Sequence, residues 1–198
     1  MKTLCLDTSF SYLTVVLLKD KAVVQSFSEP CPRQQSELLL PTINDLYQKA
    51  GWKPDDTDEV LLTIGPGSYT GTRIALTAAK MFTVALETPL KTLSTLQLLS
   101  GGRDGVSVLD ARANRVYLGA YKAGIALMQD TIMSVEEAKL YCQDKTVFGQ
   151  GSILEKNDDF ENMAARFVAL YDQAVRVNDP LHLEAVYLKS AQEYTRKP

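Results

Sequence analysis

The stretch Gly65-Pro66-Gly67-Ser68-Tyr69-Thr70-Gly71-Thr72-Arg73-Ile74-Ala75 limits most what this chain can fold into. Three glycines and a proline fall within seven residues, a turn that ordinary residues cannot build. The apolar run Val60-Leu61-Leu62-Thr63-Ile64 precedes it, and a helical pattern over 70–86 follows. Strand, glycine-rich turn and helix start therefore come in direct succession. Such a turn can present backbone N–H groups to an anion. It can equally serve only to lay a helix back on a sheet, and spacing alone does not separate the two.

The chemistry around the turn narrows the choice. Gly71 is followed by Thr72-Arg73, without the Lys-Ser/Thr pair of a phosphate-binding P-loop, and the glycines do not follow G-x-G-x-x-G. Arg73 either reaches an anion at the helix start or pairs with a surface carboxylate. Ser68 sits after a glycine, but Gly67-Ser68-Tyr69-Thr70-Gly71 is not the G-x-S-x-G elbow of a hydrolase. The only histidine, His182, would have to complete any Ser-His-Asp triad from the far end of the chain, and it excludes an all-histidine metal site.

Upstream, residues 3–7, 12–18 and 22–28 read as three strands of an antiparallel meander, with Asp7 at the first turn. Leu38, Leu39, Ile43, Leu46 and Tyr47 then recur at helical spacing over 34–50, closed by Gly51. Ser36 is placed to cap this helix, and Pro41 within it predicts a kink or the start of a second turn. The helix at 70–86 carries apolar residues on more than one face, which predicts burial on two sides or against a partner. A short strand near 89–93 and a helix from Ser94 lead to Gly101-Gly102-Arg103-Asp104-Gly105, the expected hinge.

Beyond that hinge the pattern repeats. Val106-Ser107-Val108-Leu109-Asp110 is again a strand ending in Asp, followed by a polar turn and a strand over 116–121. An offset of 103 takes Asp7 to Asp110 and Leu13 to Val116. The reading is two lobes of similar topology, residues 1–101 and a smaller 102–198. In the second, Ser134 and Glu137 form a capping box, residues 145–148 a strand and 161–176 a helix. The tail from Pro180 docks back through Leu183, Val186, Tyr187 and Leu188, and Thr195–Pro198 read as a frayed end.

Two carboxylates at equivalent strand ends could flank one cleft and hold Mg²⁺ and a nucleotide. The alternative is that Asp7 and Asp110 each bond turn amides. Neither following turn contains the glycines that a phosphate cradle uses.

Whole-chain numbers add limits. A net charge of −3, from 21 Lys+Arg against 24 Asp+Glu, lowers the expectation of direct nucleic-acid binding. Cys5, Cys31 and Cys142 have no C-x-x-C spacing and read as reduced thiols. Asp7 interrupts the apolar start, and no run of about 18 apolar residues follows. The expectation is a cytoplasmic protein without a membrane segment.

With these motifs in place the chain resembles the TsaB (YeaZ) family. Gly65 to Ile74 is similar to that family's GPGSFTGLRIG signature, and Leu4-Cys5-Leu6-Asp7-Thr8-Ser9 resembles its LaiDTS opening. Gln35 to Pro41 is similar to its HSE-x-LLP helix, and Asp110-Ala111-Arg112 with Val116-Tyr117 to its DAR…VY segment. Departures are Gln35 for His, Tyr69 for Phe and Thr72 for Leu, with a short second lobe.

The resemblance implies a two-lobed α/β fold of the actin/Hsp70 (duplicated RNase H-like) type with a reduced second lobe. It implies a subunit that is not itself catalytic and has no metal or cofactor of its own. Such a subunit pairs with a TsaD-type transferase and works with a TsaE-type ATPase. The complex makes threonylcarbamoyladenosine at tRNA position 37. ATP or ADP at the complex interface, tRNA reached through the complex, and a homodimer when alone are further implications. TsaD's metal-binding His pair lies on the helix matching 34–50, which has no His here. The family's dimer surface maps to the helices 34–50 and 70–86. Helical spacing then nominates Leu39, Ile43, Tyr47, Thr77, Met81 and Val84. Rival readings are an Mg-ATP-dependent kinase or ATPase using Asp7 and Asp110, and a hydrolase using Ser68.

Overall fold

Runs such as Leu4-Cys5-Leu6 and Val60-Leu61-Leu62 carry no polar residue, as expected of strands buried on both faces. In the computed structural model, which describes residues 1–189, these runs sit at the centre of a six-stranded sheet. The expected frayed end, Thr195–Pro198, lies outside the described residues.

The first sheet is built from β1 (Lys2–Asp7), β2 (Tyr12–Lys19), β3 (Ala22–Pro30), β4 (Glu59–Thr63) and β5 (Leu90–Leu93). Helix α1 (Gln35–Ala50) links β3 to β4, and α2 (Tyr69–Leu86) links β4 to β5. After α3 (Thr95–Ser100) come β6 (Gly105–Arg112), β7 (Arg115–Lys122), β8 (Ile125–Ala126) and β9 (Thr131–Ser134). Helix α4 (Val135–Tyr141), β10 (Val147–Gly149), α5 (Met163–Leu170) and β11 (Val175–Arg176) complete the elements.

The first sheet runs β11-β5-β4-β1-β2-β3 and the second β10-β6-β7-β8, with β9 also on β7. The repeat seen in sequence is visible here. β1 pairs β2 antiparallel and β4 parallel, as β6 pairs β7 antiparallel and β10 parallel. This is the duplicated actin/Hsp70-like architecture, with the second copy stopping at β10 where the first adds β5 and β11. β11 comes from the end of the chain yet joins the first sheet, so the polypeptide returns to its starting lobe.

Alternation decides what each sheet face meets. Leu4, Leu6, Val15, Val60 and Leu62 pack under α1 and α2, while Cys5, Val16, Leu18 and Leu61 face α3, α5 and the second sheet's Leu109, Tyr117 and Tyr121. A third cluster joins Val106, Val108, Val116 and Leu118 to α4 through Ala138 and Cys142. The order of layers is α1 and α2, first sheet, α3 and α5, second sheet, α4.

Helix α1 runs unbroken through Pro41, on its exposed side, where only the bond to the Glu37 carbonyl is lost. Ser36 does not cap it: the N-cap is Gln34, with no side-chain bond, and the helix ends on Gly51 in a left-handed conformation. The expected helix over 161–176 is cut short, because a 3₁₀ turn at Tyr171–Gln173 delivers the chain to β11.

Candidate functional site: the glycine turn and the α2 face

The turn is held against the β1–β2 connection. Ser68 N–H donates to the Ser9 carbonyl at 2.6 Å, and Thr8 Oγ1 donates to the Gly71 carbonyl at 2.6 Å and accepts from Ala75 N–H at 3.1 Å. A β-carbon on Gly67 would lie 2.2 Å from the Ser9 carbonyl oxygen, and one on Gly71 2.1 Å from that of Thr8. Both glycines are thus required by close backbone approach within the fold. Gly65 has φ +98°, its peptide bond to Pro66 is cis, and its carbonyl accepts from Thr95 N–H at 2.9 Å.

Two of the N–H donors that the anion reading needs are used within the first turn of α2. Ser68 caps α2 by accepting from Gly71 N–H at 3.2 Å, and Thr72 N–H bonds the Ser68 carbonyl at 2.9 Å. Among the described residues Arg73 pairs with no carboxylate: its guanidinium donates to Tyr69 Oη at 2.8 Å and lies over that ring, which packs on Tyr187 with centroids 5.0 Å apart. No hydrogen bond joins Ser68 to His182, as the hydrolase reading requires. Ser68 serves as a cap, while His182 is exposed with Nδ1 2.8 Å from Asp179.

Asp7 is fully buried. Its Oδ1 accepts from Ser9 N–H at 3.0 Å, from Ser9 Oγ at 2.5 Å and from Thr63 Oγ1. Its Oδ2 has no partner and no contact with solvent. Burial pushes this carboxyl up from its ordinary value, against the lowering effect of the Ser9 and Thr63 hydrogen bonds. Asp110 accepts from Arg112 N–H at 2.7 Å and pairs with the Arg112 guanidinium at 3.0 Å. Each carboxylate therefore braces its own turn, and no hydrogen bond or ion pair joins them. An enclosed oxygen and a self-paired one do not fit a hydrated Mg²⁺. Among the described residues no three His, Cys, Asp or Glu side chains gather around a common point.

The nominated helix residues divide cleanly. Thr77, Met81 and Val84 form an exposed stripe with Arg73 along α2, with Met81 49% and Val84 55% exposed. The opposite face, through Ala75, Leu76, Ala78 and Ala79, packs on the first sheet. Leu39, Ile43 and Tyr47 are a correction. All three lie in the core cluster, and Tyr47 Oη is 2.7 Å from Thr57 Oγ1. An amphipathic helix buries its apolar stripe against its own sheet first. The apolar residues that α1 leaves exposed are Leu38 and Leu40.

Sequence reasoning missed a polar cluster between the lobes. Asp130 accepts from Tyr121 Oη at 2.5 Å and from Ser94 Oγ, beside a pocket of about 360 Å³ that Gln97, Val186 and Leu188 also line. Burial raises the carboxyl of Asp130. Its two partners come from β7 and from the N-cap of α3, so no local spacing announces it.

The family model described as "TsaD: tRNA N6-adenosine threonylcarbamoyltransferase" matches residues 28–159, more than half of the chain. Several of the relatives it resembles are proteins named TsaB. The Bacillus subtilis protein is 31% identical over 137 residues, 67% of this chain and 60% of that protein. The Escherichia coli protein is 31% identical over 129 residues, 62% of this chain and 55% of that one. The chain belongs to the TsaB/YeaZ family.

The structure of YeaZ from Pseudomonas aeruginosa superposes with a TM-score of 0.74 at 22% identity, covering 94% of this chain and 99% of that one, which shows the shared fold. The chain spans less than two thirds of the length of the two curated TsaB relatives. A Mycoplasma genitalium protein, MG208, matches at 26% identity over 94% of each chain. Among the described residues no helix is long and apolar enough to cross a membrane.

Proposed function

We propose that this chain is a scaffold subunit that binds and activates a TsaD-type threonylcarbamoyltransferase in the making of threonylcarbamoyladenosine at tRNA position 37. The observation that carries the reading is the α2 stripe. A helix already packed on its sheet presents Thr77, Met81 and Val84 outward, and the neighbouring α1 leaves Leu38 and Leu40 exposed. Exposed apolar residues on neighbouring helices are what a helix–helix interface uses.

Chemistry supports the same assignment. Asp7 and Asp110 are committed to their own turns, so any ATP or ADP used by the complex is held with the partner's contribution. Substrate tRNA reaches this subunit through the complex, and a TsaE-type ATPase acts on the assembly. Without the partner, the same α2 surface closes a two-fold homodimer in the cytoplasm.

Size-exclusion chromatography with a TsaD-type subunit, with and without nucleotide, tests the proposal. A 1:1 complex at micromolar concentration that is lost in Met81→Arg/Val84→Glu is expected. No complex at that concentration overturns it.

A further inference from the structure

A second surface lies on the other side of the first sheet, away from α2. β3 is the terminal strand, and among the described residues it pairs only with β2. Beside it runs a groove of about 560 Å³, a size common for ligand sites, between residues 26–30 and the segment 158–164. Five consecutive residues of β3 line this groove. Side chains alternate faces along a strand, so an unbroken run reaches the groove through its backbone as well as its side chains. Among Ser26 to Glu29, alternate residues turn their backbone N–H and C=O groups away from β2 toward this edge, where they can accept one further strand.

The walls define what that strand must carry. Glu29, Asp158 and Glu161 line the groove, and among the described residues no Lys or Arg does. Glu29 and Glu161 are exposed and among the described residues form no salt bridge, though Glu161 lies near the Arg166 charge, while Asp158 uses one oxygen to accept from Ser152 N–H at 2.8 Å. Tyr12 and Phe160, with ring centroids 5.0 Å apart, form one end, and Phe10 backs Phe160 at 5.2 Å. Carboxylates beside aromatic faces suit Lys and Arg side chains, by charge and by cation–π attraction. A second copy of this chain is a poor occupant, because its β3 would bring another Glu29 into an acidic groove.

We infer that this groove binds an extended, basic segment of a partner protein by strand addition to β3. The backbone of Ser26 to Glu29 supplies the ladder, and the acidic and aromatic walls select Lys and Arg at alternate positions. This surface is separate from the α2 stripe, so the inference does not depend on the subunit role proposed above.

The probe is a fluorescein-labelled, capped Lys-Val-Arg-Val-Lys peptide, titrated with the full chain by fluorescence anisotropy. Saturable binding is expected, about ten-fold weaker for Glu29→Gln/Glu161→Gln and weaker again as salt rises. Both substituted positions are exposed, so the variant keeps its fold. A Glu-Val-Glu-Val-Glu peptide should fail to bind, and so should the basic peptide N-methylated at alternate amides. Slowed amide exchange confined to residues 26–29 would accompany binding. Equal binding of the acidic and basic peptides, unimpaired binding of the N-methylated one, or no saturation up to millimolar concentration overturns the inference.

Discussion

The α-carbon of Gly71 is pressed against the carbonyl of Thr8, leaving a β-carbon only 2.1 Å from that oxygen. The contact fastens the start of α2 to the β1–β2 connection, and Thr8 Oγ1 reinforces it by bonding both the Gly71 carbonyl and Ala75 N–H. Glycine is needed here for space, since Gly71 has no positive φ. Elsewhere in a helix, Gly→Ala stabilises by about 0.5–1 kcal/mol. Here Gly71→Ala should destabilise by about 2 kcal/mol or more, because backbone on both sides must move. Urea unfolding of the two proteins measures this, and an alanine variant as stable as the parent would contradict it.

Asp7 makes stability depend on pH in a definite direction. Burial raises its folded-state value above the roughly 3.9 of an unfolded chain. The folded state then holds the proton where the unfolded chain has released it, so stability falls as pH rises. The contribution is complete below about pH 4 and is lost as pH climbs through the raised value. Asp7→Asn removes this titration. The stability of the parent minus that of the variant should decrease from pH 4 to 8, and this difference cancels the other carboxylates. A difference that increases with pH would show that the hydrogen bonds from Ser9 and Thr63 outweigh burial.

Leu39 and Met81 should respond in opposite ways. Leu39 is buried under the first sheet, so Leu39→Ala should cost about 2–5 kcal/mol. Met81 is half exposed, so Met81→Arg should change stability by no more than about 0.5 kcal/mol. Association should show the reverse, with Met81→Arg weakening self-association and TsaD-type binding at least about ten-fold. Thermal unfolding and sedimentation on the same pair of variants separate the two roles.

Much of this arrangement was written locally in the chain. The 3.6-residue spacing of Leu39, Ile43, Leu46 and Tyr47, with Gly51 as its stop, defines α1, and Ser68 after the glycines starts α2. The 103-residue offset between Asp7 and Asp110 showed the duplication because each lobe reuses a strand–turn–strand unit. Periodicity locates an apolar face but not what covers it, so Leu39, Ile43 and Tyr47 were open to assignment to a partner. The two-residue strands β8 and β11 are too short to carry a pattern, and pairing with β7 and β5 defines them. The cluster of Ser94, Tyr121 and Asp130 and the groove beside β3 arise from packing of distant segments. Nothing in local spacing encodes them.

Arg166 ties the second half of the chain to the first. It is 5% exposed and lies between the end of α3 and the segment before α5. Its guanidinium donates to the Leu99 carbonyl at 2.6 Å, to Asp159 at 2.5 Å and to the Glu161 carbonyl at 3.1 Å. Arg103 shares Asp159 at 2.8 Å but is 47% exposed along its side chain. Arg166→Met keeps most of the packing and removes all three bonds, leaving the Leu99 carbonyl without this donor. The expected cost is about 3 kcal/mol. Arg103→Met, whose ion pair is solvated, should cost about 1 kcal/mol or less. Equilibrium urea unfolding of the two variants gives both values. Equal costs would mean that Asp159 is held as firmly from solvent as from the core, and that Arg166 is not the fastening between the lobes.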